Sequence, residues 1–432
     1  MSNFVFSRRF LWVAAATSTI TAVYGLTLAI SFWRSFPYWD QWRAVVMYQA
    51  WTEQQMPLWQ FLRDHIVAQH NEHRVPLTEL AFLIDFIGFS GTSEFMFPLL
   101  ILSYIGLGLV LGVVIACDAT FSESMTWIAI SLAFVLSPIQ IDNLTLPFHL
   151  LWALSGLFSL GAFYWTAKLA IDKSPWQFAL LACAATLLSV YNSANGLAAA
   201  GIVILMAETM ITHCAPRTAI VATAVMSIMI YFVGYSAPES TKFHAILTSA
   251  TGLYYFIAYF LALVGGIAAP FGLVVSRVVG AFGLSMAILV WAHASLREDL
   301  DAKTISLLAL FSWAAISALM TAVGRGGIGA EQALWSRYGT IVVLFWLPLI
   351  GAIWRMTRNR PLSAACIPAA LAILVLTCLS GLPFVAEARS RAALIDKTTD
   401  DLRSGRPDTS GINPPNLVDF LRRRHLSIFV AN

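Results

Sequence analysis

Charge is scarce in this 432-residue chain: 11% of its residues are charged, against 59% that are hydrophobic. Globular domains carry about a quarter of their residues as charges, so water is not its main solvent. Its cysteines, Cys117, Cys183, Cys214, Cys366 and Cys378, are single and lie mostly in apolar runs. They lack the paired spacing of zinc sites and read as small core residues. The net charge of +3 gives no support to nucleic-acid binding. No internal repeat or low-complexity block interrupts the chain.

Apolar runs of about 18 or more residues recur from end to end, the length needed to cross a hydrocarbon core of about 30 Å. The expectation is an all-α polytopic membrane protein with about eleven spans, near 10–32, 95–117, 125–138, 148–167, 177–191, 196–213, 218–235, 277–294, 304–323, 337–354 and 363–383. The first run has no small-residue cleavage site leading into a soluble domain, so it reads as a retained helix. Arg8, Arg9, Lys168, Lys173, Arg217, Arg297, Lys303, Arg355, Arg358 and Arg360 then fall on one side, the cytoplasmic one by the distribution of basic residues. The stretch 250–275 holds Gly265, Gly266, Pro270 and Gly272. It reads as a broken, re-entrant or interfacial helix in preference to a full crossing, which would invert all that follows.

Two segments are not membrane-like. Residues 34–93 form a first outer loop rich in Trp, Gln, His and charge, and residues 386–432 a short outer tail after a membrane domain spanning 1–385. The loop opens with Tyr38-Trp39-Asp40-Gln41-Trp42. Asp40 is either a helix N-cap or a general base at the outer mouth of the first span. From Trp42 to about Leu62, interrupted by Pro57, the pattern fits one or two helices on the membrane surface. His70-Asn71-Glu72-His73-Arg74-Val75-Pro76-Leu77 follows. Read at helical spacing, its His and Glu bring only part of a ligand set to one ion, which favours a polar turn over a metal site.

These residues resemble the GT-C superfamily of membrane glycosyltransferases, which includes protein O-mannosyltransferases and lipid A aminoarabinose transferases. There an acid follows the first transmembrane helix, two membrane-parallel helices come next, and a His/Lys-Pro-Pro-Leu type motif lies in the same loop. Asp40 matches the acid, and Glu72 to Leu77 looks like the second motif with Val75 for its first proline. Gln41 stands where a second acid is frequent. The likeness covers roughly the first 120 residues.

Farther along, Asp142 and His149 flank a Pro- and Asn-rich turn that either contacts a sugar or is explained by turn chemistry alone. Tyr191 to Gly196 reads as a tight turn between helices. Gly324 to Tyr338 is a Gly-rich loop bearing Arg325 and Arg337. Arginine forks suit phosphate, although arginines at such a border also snorkel to lipid headgroups. It lacks the Lys-Ser/Thr ending of a nucleotide P-loop. Arg337-Tyr338 loosely resembles an Arg-Tyr stretch near the outer-face site of many GT-C enzymes.

The resemblance implies transfer of a sugar from a polyprenyl-phosphate carrier to a glycan, lipid or protein acceptor, on the periplasmic face of a bacterial inner membrane. Asp40 is the expected base; Arg325 and Arg337, with Arg74 and His73 as secondary candidates, are the expected donor-phosphate ligands. Tyr38, Trp39 and Trp42 are the expected packing platform, and Glu72, Asp142, His149 and Tyr338 further substrate contacts. No metal ligands are assigned, although a divalent cation stays open. A transporter or flippase of lipid-linked saccharides is the rival. It would show paired halves and midplane charges, of which Asp85 and Glu208 are the few acids in or beside apolar runs.

Overall fold

A computed structural model describes residues 7–54, 56–172, 176–237, 249–358, 360–407 and 413–430; Lys173, expected on the basic side, lies outside them. Its helices are α1 (Arg8–Phe32), α2 (Trp42–Glu53), α3 (Leu58–Phe61), α4 (Pro76–Phe89), α5 (Met96–Ala116), α6 (Phe121–Val135), α7 (Ile141–Thr145), α8 (Leu150–Asp172) and α9 (Trp176–Val190). The rest are α10 (Asn195–Met210), α11 (Cys214–Tyr231), α12 (Ala250–Val264), α13 (Leu273–Ser295), α14 (Ala302–Arg325), α15 (Gly339–Thr357), α16 (Ser363–Arg403) and α17 (Pro415–Arg423). Every one of the eleven expected spans is helical. Nine stretches among the described residues are long and apolar enough to cross a membrane, whereas α9 and α10 fall short at 15 and 16 residues.

The helices run between two chemically distinct ends. At one end, Thr126 of α6 donates to the Leu11 carbonyl of α1, and Arg297, just past α13, donates to the Met356 carbonyl of α15. Arg355 pairs there with Asp301, whose carboxylate also caps α14 through the Thr304 amide at 2.8 Å. The other end gathers the starts of α8, α10 and α15, the ends of α11 and α14, and both polar segments. There the 136–149 turn is buried by close approach: a Cβ on Gly25 of α1 or Gly381 of α16 would strike its backbone. Asn143 donates to Gln140 (2.8 Å) and Thr340 (3.2 Å), and Ser336 to the Ile139 carbonyl (2.8 Å), so this turn fixes the start of α15.

The stretch 250–275 is broken as its glycines and proline imply. α12, with 15 residues, is about 22 Å long at 1.5 Å per residue. A 3-10 turn, Gly266–Phe271, follows it, and Gly272 takes φ +89° before α13 begins. Carbonyls freed near the break are satisfied inside the protein: Val264 accepts from Trp346 at 2.9 Å and Ile267 from Ser380 at 2.7 Å. That is the condition for irregular backbone at membrane depth.

The expected domain edge at 385 falls inside α16, which continues unbroken to Arg403 and past Pro383. Residues beyond that edge pack into the body. Leu417, Val418, Phe420 and Leu421 of α17 are buried, with Phe420 against Tyr48 of α2. The Ser427 amide donates to the Ser90 carbonyl at 2.8 Å. The cysteines are not uniformly core: Cys366 is buried, Cys214 at the start of α11 is exposed, and the other three lie between.

Candidate active site

The loop after α1 supplies the acids. After α1, a 3-10 turn at Trp39–Gln41 carries Asp40, and Gln41, not Asp40, precedes α2. The N-cap reading of Asp40 therefore gives way: its Oδ1 stands 3.4 Å from Nε2 of His70. As expected, α2 and α3 flank Pro57. The His70–Arg74 segment is not helical but a β-hairpin, β1 (Gln69–His70) against β2 (His73–Arg74), with Asn71 in the left-handed region at the turn. His70 and His73 pair directly across it, and cross-strand partners share a face.

Five bonds pin the hairpin to the end of α11 and the residues just after it. Tyr231 donates its hydroxyl to the Glu72 carbonyl at 2.7 Å, Gln69 exchanges two bonds with the Ser236 backbone, and Arg74 donates to the Tyr231 and Val233 carbonyls at 2.8 and 2.5 Å. A cation capping the last carbonyls of a helix satisfies groups that have no partner within it. Arg74 is only 8% exposed and does not line the cavity, which withdraws it from the phosphate ligands.

A cavity of about 320 Å³ opens beside the hairpin. Asp40, Glu72, His73, His149, Arg325, Arg337 and Tyr338 all line it, drawn from segments up to about 300 residues apart in sequence. Trp39, Tyr38 and Trp42 do not. Trp42 is buried edge-on against Phe36, and Tyr38 lies beside Trp39 with its ring 5.9 Å from the Arg391 guanidinium. The aromatic wall consists instead of Phe148, Trp152, Tyr231, Phe232, Tyr235 and Tyr338. Helical spacing could have found part of it, since Trp152 lies three residues after His149. Asp142 is also displaced. Arg391 of α16 holds it at 2.7 Å and Thr145 at 2.9 Å, so its carboxylate serves the fold and not the cavity.

Burial would raise the pKa of Asp40, but the hydrogen bond from His70 and the charge of Arg337 favour the ionised form, and the carboxyl is held below the usual range. Glu72 is likewise held low: burial opposes, but the charge and hydrogen bond of Arg325 favour its ionised form. Burial pushes His73 down despite the opposing Glu72, so the ring is neutral near pH 7. Its Nδ1 accepts from the Ala194 amide at 3.1 Å, which leaves the proton on Nε2. In His149, Nδ1 faces the Asp142 carbonyl at 3.2 Å. A carbonyl can only accept, so this ring carries its proton on Nδ1 and keeps a lone pair on Nε2.

The cations differ in availability. Arg325 donates to Glu72 at 2.8 Å. Arg337 lies over the rings of Trp335 and Tyr338 at 4.6 and 5.1 Å, with a buried Nε that has no hydrogen-bond partner. Gly324 borders the same space, and a Cβ there would meet nothing within 4 Å. No group of three His, Cys, Asp or Glu that could hold a metal ion occurs among the described residues. No family model, curated protein or solved structure matches this chain.

Proposed function

We propose that this chain is a membrane glycosyltransferase of the GT-C kind, moving a sugar from a polyprenyl-phosphate donor to a hydroxyl of a glycan, lipid or protein acceptor. One observation carries the reading: a single cavity holds an ionised carboxylate, Asp40, together with an arginine, Arg337, whose Nε is buried and unpartnered. In the reaction the sugar C1–O bond to phosphate breaks and a C1–O bond to the acceptor forms. The acceptor proton goes to Asp40, and the polyprenyl phosphate departs with the bonding electron pair. Arg337, assisted by Arg325, stabilises that leaving phosphate, as preorganised charges do where charge develops in a transition state. Trp152 and Tyr235 offer ring faces for the sugar.

The cavity is assigned to the periplasmic side of a bacterial inner membrane. Support comes from the opposite end, where Arg8, Arg9, Arg217, Arg297, Lys303, Arg355, Arg358 and Arg360 collect near helix termini, as basic residues do on the cytoplasmic side. The test compares lipid-linked sugars by mass spectrometry in cells carrying wild-type protein or Asp40→Asn. Accumulation of one polyprenyl-phosphate sugar in the variant is the expected result. Identical lipid pools with identical protein levels would remove the proposal.

A further inference from the structure

His70 is the cavity residue whose surroundings are most fully determined. Arg43 of α2 reaches it from behind: Nη1 lies 3.3 Å from His70 Nδ1 and also donates to the Gln69 carbonyl at 3.2 Å. Its Nε donates to Glu79 of α4 at 2.6 Å, and its Nη2 to the Ala68 carbonyl at 3.3 Å. Glu79 is 1% exposed and its second oxygen is buried without a partner. On the ring's flank, Phe148 packs edge-on with centroids 5.0 Å apart and sets the imidazole plane.

The donor and acceptor inventory then dictates the protonation of the ring. Arginine only donates. Nδ1 of His70 must therefore present its lone pair to Arg43, which puts the single proton on Nε2, the nitrogen 3.4 Å from Asp40. An imidazolium would set an N–H of His70 against an N–H of Arg43. Asn71 Nδ2 is placed 3.4 Å from Nε2; the amide nitrogen and oxygen exchange by a flip, and this form of the ring takes the oxygen there.

We infer that His70 is the positioning residue of this site, held as the Nε2–H tautomer by Arg43 on the buried Glu79 and donating that proton to Asp40. The catalytic part of the inference rests on the glycosyl-transfer reading. In this arrangement His70 is no second base, since its only lone pair faces Arg43. It orients the Asp40 carboxylate so that the other oxygen faces the acceptor hydroxyl, and it stabilises the ionised form.

Two substitutions separate positioning from packing. His70→Phe keeps the ring against Phe148 and loses the donor, whereas His70→Gln loses the ring and returns an amide N–H near the Nε2 position. With polyprenyl-phosphate sugars extracted from the producing cells as donor, His70→Phe should lower turnover about 10²-fold and His70→Gln should recover most of it, as displacement of an aligned group predicts. The reverse order would overturn the inference.

The tautomer is read without any substrate, in detergent-solubilised protein labelled with 15N-histidine, the His70 signals being those missing from His70→Gln. Nε2–H in the wild type, lost on Arg43→Met, supports the inference. Nδ1–H, an imidazolium at pH 7, or indifference to Arg43→Met overturns it. Undecaprenyl phosphate that fails to bind the wild type would count against glycosyl transfer alone, because the tautomer belongs to the resting protein.

Discussion

Arg337 and Arg355 flank the same helix, α15, and their surroundings differ as the two ends of the molecule differ. Arg355 closes the C-terminal turn, where the helix dipole favours a cation. It pairs with Asp301, donates to Thr304 at 3.1 Å, and reaches the carbonyls of Val114, Ile115 and Cys117 at 3.1 to 3.2 Å. Those carbonyls end α5 and have no partner within it, so Arg355 joins helices. Arg337 precedes the N-terminus of the same helix, where the dipole disfavours a cation, and holds two ring faces and no carboxylate pairing among the described residues. The fold gains little from it there, but an anion entering the cavity would. Two arginines beside one apolar helix thus divide into one committed to the fold and one left open to the cavity, by partner and not by type.

The sharpest way to break this division is at Asp40. If the cavity end is built for chemistry, Asp40→Asn lowers turnover by about 10² to 10⁴-fold, the usual contribution of a positioned base, with only a small fall in the unfolding midpoint from the lost carboxylate. An equal loss in the unfolding midpoint would make Asp40 one more structural group. Next come the two arginines. Arg355→Met should destabilise by about 3 kcal/mol, because it leaves a half-buried Asp301 and several carbonyls unpaired, without altering affinity for undecaprenyl phosphate. Arg337→Met should stay within about 0.5 kcal/mol of wild type and weaken that affinity by roughly tenfold or more. Denaturation curves and binding isotherms on the same two variants decide whether the ends differ as described.

A smaller effect concerns pH. Asp40 and Glu72 titrate below their ordinary values in the folded protein. Each therefore contributes stability above an unfolded-state pKa of about 4 that is lost as pH falls through its lower folded value. Wild type should lose stability on acidification more steeply than a doubly substituted Asp40→Asn, Glu72→Gln protein, as read from melting midpoints between neutral and acidic buffer. Smallest is the aromatic wall: Trp152→Leu should raise the donor KM by about threefold to tenfold, the scale of a lost stacking contact, and also lower the melting midpoint, because Trp152 is buried.

The sequence by itself determined the class of the protein and its helices. A hydrophobic run long enough for a bilayer declares itself locally, and so does its interruption by Gly265, Pro270 and Gly272. Asp40 was legible as a lone acid after α1, and Arg325 and Arg337 as cations in a glycine-rich loop. Tertiary structure alone decided which polar residues share a space. Asp142 and Arg74 look as available in sequence as Glu72 and Arg337, yet partners remote in the chain, Arg391 and the carbonyls ending α11, remove them from the cavity. The helical spacing read into His70 to His73 failed because a turn at Asn71 pairs the two histidines across strands. Arg43 and Glu79 gave no signal at all, since their role exists only where α2, α4 and the hairpin meet. Apolar periodicity is a property of neighbours along the chain, whereas the state of a polar group depends on what faces it in space.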